Sequence, residues 1–223
     1  MPAFFAVNFD RVAPHYRRLE RIVFDEQLQA ARCAFVRQIP AANRALVVGE
    51  GDARFLAELR RAQPELQVDC LDASARMLAL AQKRAGQNRV RFLHADICEA
   101  AFPPHRYDLV VTHFFLDCFA AETLREVVTK LSGAATDNAI WLVADFSLPP
   151  NGWRRWWARL LIGTMYFFFR FVAGIEARRL IDYAPLMREN GFCLTNEKIS
   201  AHGLIRSQCW RCGQITNATL VSS

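Results

Sequence analysis

The sequence predicts an α/β protein: a doubly wound sheet of seven strands, five parallel plus a terminal antiparallel hairpin, preceded by N-terminal helices. Three observations predict it. Short apolar runs alternate with helical patterns between residues 45 and 145, as parallel strands joined by right-handed crossovers require. The first run, Ala45-Leu-Val-Val48, is apolar on both faces and enters a glycine-rich turn that opens a helix. The last two runs, 192–199 and 203–211, are joined by too few residues for a crossover and must therefore pair antiparallel.

The elements follow in order. Residues 10–38 read as helical, with Leu19, Ile22, Val23, Leu28 and Phe35 at mixed three-to-four spacing. Strands are expected at 45–49, 67–72, 90–94, 107–112 and 138–145, with helices at about 52–62, 74–85 and 120–132. After Pro149-Pro150 the pattern changes, and residues 153–173 are dense in tryptophan and phenylalanine. The uninterrupted apolar run there, Leu160–Phe169, is too short to span a bilayer and is flanked by Arg159 and Arg170. A helix near 179–190 is ended by Asn190-Gly191 and leads into the hairpin.

Composition bounds the function. The chain has 223 residues, 52% hydrophobic and 22% charged, which suits one domain with a real core and excludes disorder. The net charge of +6 comes almost wholly from arginine, scattered over many segments rather than gathered into one run. That argues against nucleic acid as a partner. Seven cysteines, an odd number and mostly in apolar runs, point to reduced thiols and a cytoplasmic protein. Cys209-Trp-Arg-Cys212 has metal-ligand spacing, but no second pair or histidine completes a site, so no metal is expected. No basic n-region precedes an apolar stretch at the N-terminus, so no signal peptide is expected.

The chemistry concentrates at the strand ends. Gly49 and Gly51 permit a tight turn and close approach of a ligand, and the helix that follows offers free N–H groups to an anion. Asp72 closes the second strand, where a carboxylate can bind a ribose. The set reads as a nucleoside-binding half. A dinucleotide fingerprint wants a third glycine where this chain has the bulky Arg54.

At this point the motifs resemble a known family. Val47-Val48-Gly49-Glu50-Gly51-Asp52-Ala53 resembles the first motif of class I S-adenosylmethionine-dependent methyltransferases, with Ala53 standing at the third glycine. Leu71-Asp72-Ala73-Ser74-Ala75-Arg76-Met77-Leu78 resembles the acidic second motif, and His94-Ala95-Asp96-Ile97 the segment that contacts adenine. Tyr107–Val111 and Asp145–Pro149 resemble strands four and five, and the reversed terminal hairpin is typical of the same family. Phe9–Tyr16 is similar to the N-terminal signature of the ubiquinone/menaquinone C-methyltransferase group. The resemblance covers nearly the whole chain. It implies S-adenosyl-L-methionine as cofactor, contacted by Tyr16, Gly49, Glu50, Gly51, Asp52, Asp72, Ala73, Met77, Asp96, Ile97 and Thr112. It also implies one domain over 1–223: a helical lid at 1–40, a cofactor core at 41–148, an acceptor-covering insertion at 149–178, and a terminal helix and hairpin at 179–223.

Methyl transfer from a sulfonium needs an in-line nucleophile, a dry site and, for a phenol or ring carbon, removal of a proton. A base is expected at the carboxyl end of strand four, where His113 and Asp117 lie. The 153–173 segment is expected to wall a small lipophilic acceptor, aromatic, phenolic or quinol-like. It is equally placed for peripheral contact with the inner face of a membrane or for a homodimer interface. Two other readings stay open: a catalytically idle cofactor-binding or interaction protein on the same fold, and a nicotinamide-dependent oxidoreductase.

Overall fold

The structure, a computed structural model, describes residues 25–149, Gly152, Trp156 and 180–213. The aromatic segment 153–173, apart from Trp156, and the N-terminal stretch carrying Tyr16 lie outside the described residues.

The elements are α1 Asp25–Arg32, β1 Arg44–Val48, α2 Arg54–Ala62, β2 Gln67–Asp72, α3 Ala75–Ala85, β3 Val90–His94, β4 Tyr107–His113, α4 Ala121–Ala134, β5 Ala135–Phe146, α5 Ala184–Glu189, β6 Phe192–Ser200 and β7 Ile205–Cys212. The strands form one sheet in the order β3-β2-β1-β4-β5-β7-β6. The first five are parallel, whereas β7 runs antiparallel to both β5 and β6. Strand alternation splits the core into two layers. Val48, Leu71, Val110, Trp141 and Trp210 face one side, and Val47, Cys70, Val111, Ile140 and Leu142 the other. Cys209 and Cys212 fall to opposite faces of β7 for the same reason.

Several boundaries differ from expectation, among them the helix expected near 179–190, which is Ala184–Glu189 and opens with Pro185 in its first turn. The N-terminal helix ends at Arg32, and Val36–Gln38 form a separate 3₁₀ turn before Ile39 goes extended. Pro40 accounts for the extended Ile39, since proline disfavours helix in the residue before it. β5 starts at Ala135, directly off α4, because its first residues pair with Tyr107 across a register shift. The final hairpin turns through Ala201–Leu204, with Ala201, His202 and Gly203 all at positive φ, so β7 begins two residues late.

Away from the strand ends that hold the motifs, the sheet is pinned by a polar knot. Tyr107 donates to Asp69 Oδ2 at 2.7 Å, and Arg91 grips the same carboxylate with two N–H groups at 2.9 and 2.8 Å. Burial pushes the Asp69 carboxyl up, but the bonds from Arg91 and Tyr107 outweigh it and hold it below its ordinary 3.8. The folded value is depressed, so this stabilisation is present above pH 3.8 and fades as acid protonates the group. Tyr107→Phe removes one charge-assisted bond from this knot and should cost about 1.5–3 kcal/mol at neutral pH. Urea titrations of the two proteins check it, and the difference should shrink below about pH 3.

Candidate functional site

Parallel, in-register strands bring their carboxyl ends to a single edge. Val48 pairs with Leu71 on one side and Thr112 on the other, and Asp72 pairs with His94. The strand order reverses direction between β1 and β4, and a crevice opens beyond such a switch point. Gly49–Ala53, Asp72, Asp96–Ile97 and Thr112–Asp117 all lie at this edge.

The turn after β1 is left-handed at alternate residues: Gly49 at φ 68°, Gly51 at 66° and Ala53 at 60°. Ala53 caps α2 in this conformation and is fully buried, so the alanine adopts the backbone a third glycine would, at a strain of about 1–2 kcal/mol. A Cβ at Gly51 would meet nothing within 4 Å, and the space over the turn is open. At Gly49 a Cβ would sit 2.3 Å from the Phe115 ring, so this glycine is required by a side chain from the β4 end as well as by its φ.

Asp72 ties the turn to the next strand. Its Oδ2 accepts from Gly51 N–H at 3.2 Å and its Oδ1 from Ser74 N–H at 2.8 Å. Ser74 then caps α3 by accepting from Met77 N–H at 3.2 Å, which buries the Met77 side chain. Ala73 presents its carbonyl to His94 Nε2 at 3.0 Å. Asp96 folds its carboxylate onto Cys98 N–H at 2.8 Å, and Lys130 from α4 donates to the carbonyls of Ile97 and Cys98. Thr112 accepts from the Trp141 indole at 2.9 Å. The Asp52 carboxylate is buried against Arg84 of α3, which also donates to the Asp52 carbonyl at 2.9 Å. Its side chain therefore anchors the turn from beneath.

His113 and Asp117 occupy different surroundings. His113 is buried edge-on to Phe55, ring centroids 4.5 Å apart, and its Nδ1 has no hydrogen-bond partner among the described residues. Burial and the nearby Arg32 charge hold it well below its ordinary 6.5, hence neutral. The backbone turns between the two, since β4 runs to His113 and Phe114 then takes φ 52°. Asp117 instead acts on Asp145 at the end of β5. Burial first, then the Asp117 charge, pushes the Asp145 carboxyl well above its ordinary range. Asp145 Oδ1 accepts Phe115 N–H at 3.2 Å, while its buried Oδ2 has no hydrogen-bond partner among the described residues. Asp145, Arg84, Lys130 and Arg32 were not singled out from the sequence as site residues. A charged residue inside an apolar run, as Asp145 is after Val143-Ala144, was the one available signal.

Gly49→Ala should destabilise the fold by about 3 kcal/mol, combining left-handed strain with the clash on Phe115. Pairing it with Phe115→Ala should relieve the clash and leave the strain. Chemical denaturation of the single and double variants measures both parts.

Residues 45–137 match the methyltransferase domain family. An uncharacterised methyltransferase of Mycobacterium bovis is 35% identical over 104 residues, 47% of this chain and 51% of that protein. The chain thus spans about half the length of that relative. The demethylmenaquinone methyltransferase of Thermus thermophilus is 29% identical over 150 residues, 65% of this chain and 66% of its own. Among solved structures, the 1,6-didemethyltoxoflavin N1-methyltransferase of Burkholderia thailandensis, which holds its substrate and S-adenosylhomocysteine, superposes with a TM-score of 0.64. It is 16% identical and covers 91% of this chain and 84% of its own. Residues 45–137 thus match the methyltransferase domain family, and the parallel sheet with its reversed last strand shares the fold of that solved methyltransferase.

Proposed function

We propose that this chain transfers the methyl group of S-adenosyl-L-methionine to a small lipophilic acceptor of aromatic, phenolic or quinol type. The observation that carries the reading is the left-handed turn Gly49–Ala53 locked to Asp72 at the switch point of the sheet. The open space at Gly51 and the polar groups around it suit a nucleoside with a charged amino-acid tail. In this reading Asp72 holds the ribose hydroxyls, Asp96 and Ile97 bracket adenine, and the backbone of Gly49–Gly51 receives the methionyl end. Met77 and Ala73 shape the ribose side, with Thr112 below the sulfonium. Asp52 acts through its backbone, since its carboxylate is engaged with Arg84. Tyr16 is proposed to close over the methionyl end, as part of a lid at 1–40.

The cofactor supplies an already activated methyl, so the chain's own work is positioning, exclusion of water and handling one acceptor proton. Asp117 is the better base of the two candidates. It sits beside Asp145, whose carboxyl is held protonated, so the pair carries one charge and can accept a proton from a phenol or activated ring. His113, neutral and packed on Phe55, is the weaker base and is proposed to shape the wall behind the turn. Support for a lipophilic acceptor comes from Phe115 and Phe119, stacked edge to face at 5.0 Å beside this pair, and from the aromatic 149–178 segment as its proposed cover. The demethylmenaquinone relative gives the same direction. No helix among the described residues is long and apolar enough to cross a membrane. We propose that any membrane contact is peripheral and through 153–173.

Titration calorimetry should show S-adenosylhomocysteine binding, with NAD inert, and Asp72→Ala should weaken it by about tenfold or more. Incubation with S-adenosylmethionine and a panel of quinols and phenols should release S-adenosylhomocysteine and yield a product heavier by one methyl group. Asp117→Asn should slow that turnover about a hundredfold with cofactor affinity kept, and His113→Gln should change it little. Binding without turnover on any acceptor would return the idle reading.

A further inference from the structure

We propose that Lys130 is a positioning residue: from α4 its ammonium grips the carbonyls of Ile97 and Cys98 and thereby fixes the Asp96 carboxylate that reads the cofactor's base. The inference rests on the cofactor reading above, which gives Asp96 and Ile97 to adenine but asks nothing of α4.

The connection from β3 to β4, residues 95–106, contains neither helix nor strand. Its backbone polar groups must therefore find partners outside regular structure. Several N–H groups are met close by. Ala95 N–H donates to the Asp72 carbonyl at 3.3 Å, and the Glu99 and Ala100 N–H groups donate to the Asp96 carbonyl at 3.1 and 2.8 Å. Asp96 Oδ1 accepts Cys98 N–H at 2.8 Å. A single turn that no helix continues leaves its carbonyls without a following donor. Lys130 fills that gap: its Nζ donates to the Ile97 carbonyl at 2.9 Å and to the Cys98 carbonyl as well.

The peptide unit between Ile97 and Cys98 is thus held at both ends, its carbonyl by Lys130 and its N–H by Asp96. A cation on the carbonyl polarises the peptide and strengthens its N–H as a donor. The influence therefore runs from the ammonium through one peptide to the carboxylate. Lys130 stands beside the buried stripe of α4, where Val127, Leu131 and Ala134 share a core layer with the buried Ile97. The other end of the connection leans on the same helix, since the His105 and Arg106 N–H groups donate to the Gly133 and Ala134 carbonyls at 3.1 and 2.8 Å. α4 frames the base-reading segment from both ends, although it belongs to the β4–β5 crossover and lies outside the β1–β3 half that carries Gly49, Gly51 and Asp72.

The test uses the wild type, Lys130→Met, Lys130→Arg and Asp72→Ala. Affinity is measured for S-adenosylhomocysteine and for S-inosylhomocysteine, in which an oxygen replaces the exocyclic amine of adenine. Hydrogen exchange at the Cys98 amide and thermal melting are followed without ligand. The wild type should prefer the adenine form by about tenfold or more. Lys130→Met should lose most of that preference, binding S-adenosylhomocysteine about tenfold more weakly and S-inosylhomocysteine less than about threefold more weakly. Its Cys98 amide should exchange about tenfold faster. Lys130→Arg should restore most of both. Asp72→Ala should weaken both ligands alike and keep the preference, because its proposed contact is the ribose. An equal loss on both ligands in Lys130→Met, or an unchanged Cys98 exchange rate, overturns the proposal and leaves Lys130 as a tie for the fold alone. Should Lys130→Met not fold, Lys130→Gln carries the same series. If the wild type binds neither ligand, the cofactor reading fails, and Cys98 exchange alone still decides whether Lys130 fixes the Asp96 turn.

Discussion

The Asp72 carboxylate accepts from Gly51 N–H with one oxygen and from Ser74 N–H with the other. That shared acceptor is the constraint on which the crevice edge depends. It fixes the turn after β1 relative to the turn after β2, and Ser74 passes the constraint on by capping α3. From α3, Arg84 reaches back to Asp52 and closes the circuit around the first turn. A buried acceptor with two backbone donors is costly to break, since each orphaned N–H loses its partner away from water. The edge is thereby tied together before any ligand arrives, which suits the in-line transfer proposed above.

The opposite side of the crevice is built differently. Where Asp72 is satisfied by donors, the β4 and β5 ends gather groups with mismatched protonation. Asp145 is held protonated by burial and by Asp117, His113 is held neutral by burial and Arg32, and the Cys118 thiol is raised by burial and the two aspartates. One side holds by hydrogen bonds, and the other stores proton-transfer capacity. This asymmetry supports the division between cofactor and acceptor proposed above.

The sequence revealed the fold because the layers repeat with a period: apolar runs with a crossover between each give a parallel sheet, and a short connection forces the final reversal. Asp72, Asp96 and the glycines were visible since each ends such a run, where an apolar pattern breaks at a fixed place. Lys130 was invisible for the opposite reason. It lies inside a helix, 33 positions after Ile97, whose carbonyl it holds, so no local spacing links them. His113 and Asp117 face different groups because the backbone reverses at Phe114, a non-glycine residue at positive φ that local pattern does not flag. The start of β5 was read late because Ala135–Asn138 carry no apolar run, and only pairing beside Tyr107 recruits them.

Ala53 shows that the turn is defined by backbone angles and not by glycine count. The chain turns left-handed at 49, 51 and 53 although only two of those residues lack a side chain. A methyl is about the largest apolar group such a buried, left-handed cap admits, so drift at this position is confined to a very short alphabet. A pattern search that demands three glycines would pass over this chain and any relative sharing its alanine. The trait such proteins inherit is a sequence of rotations, and its spelling is free to change wherever the rotation is kept.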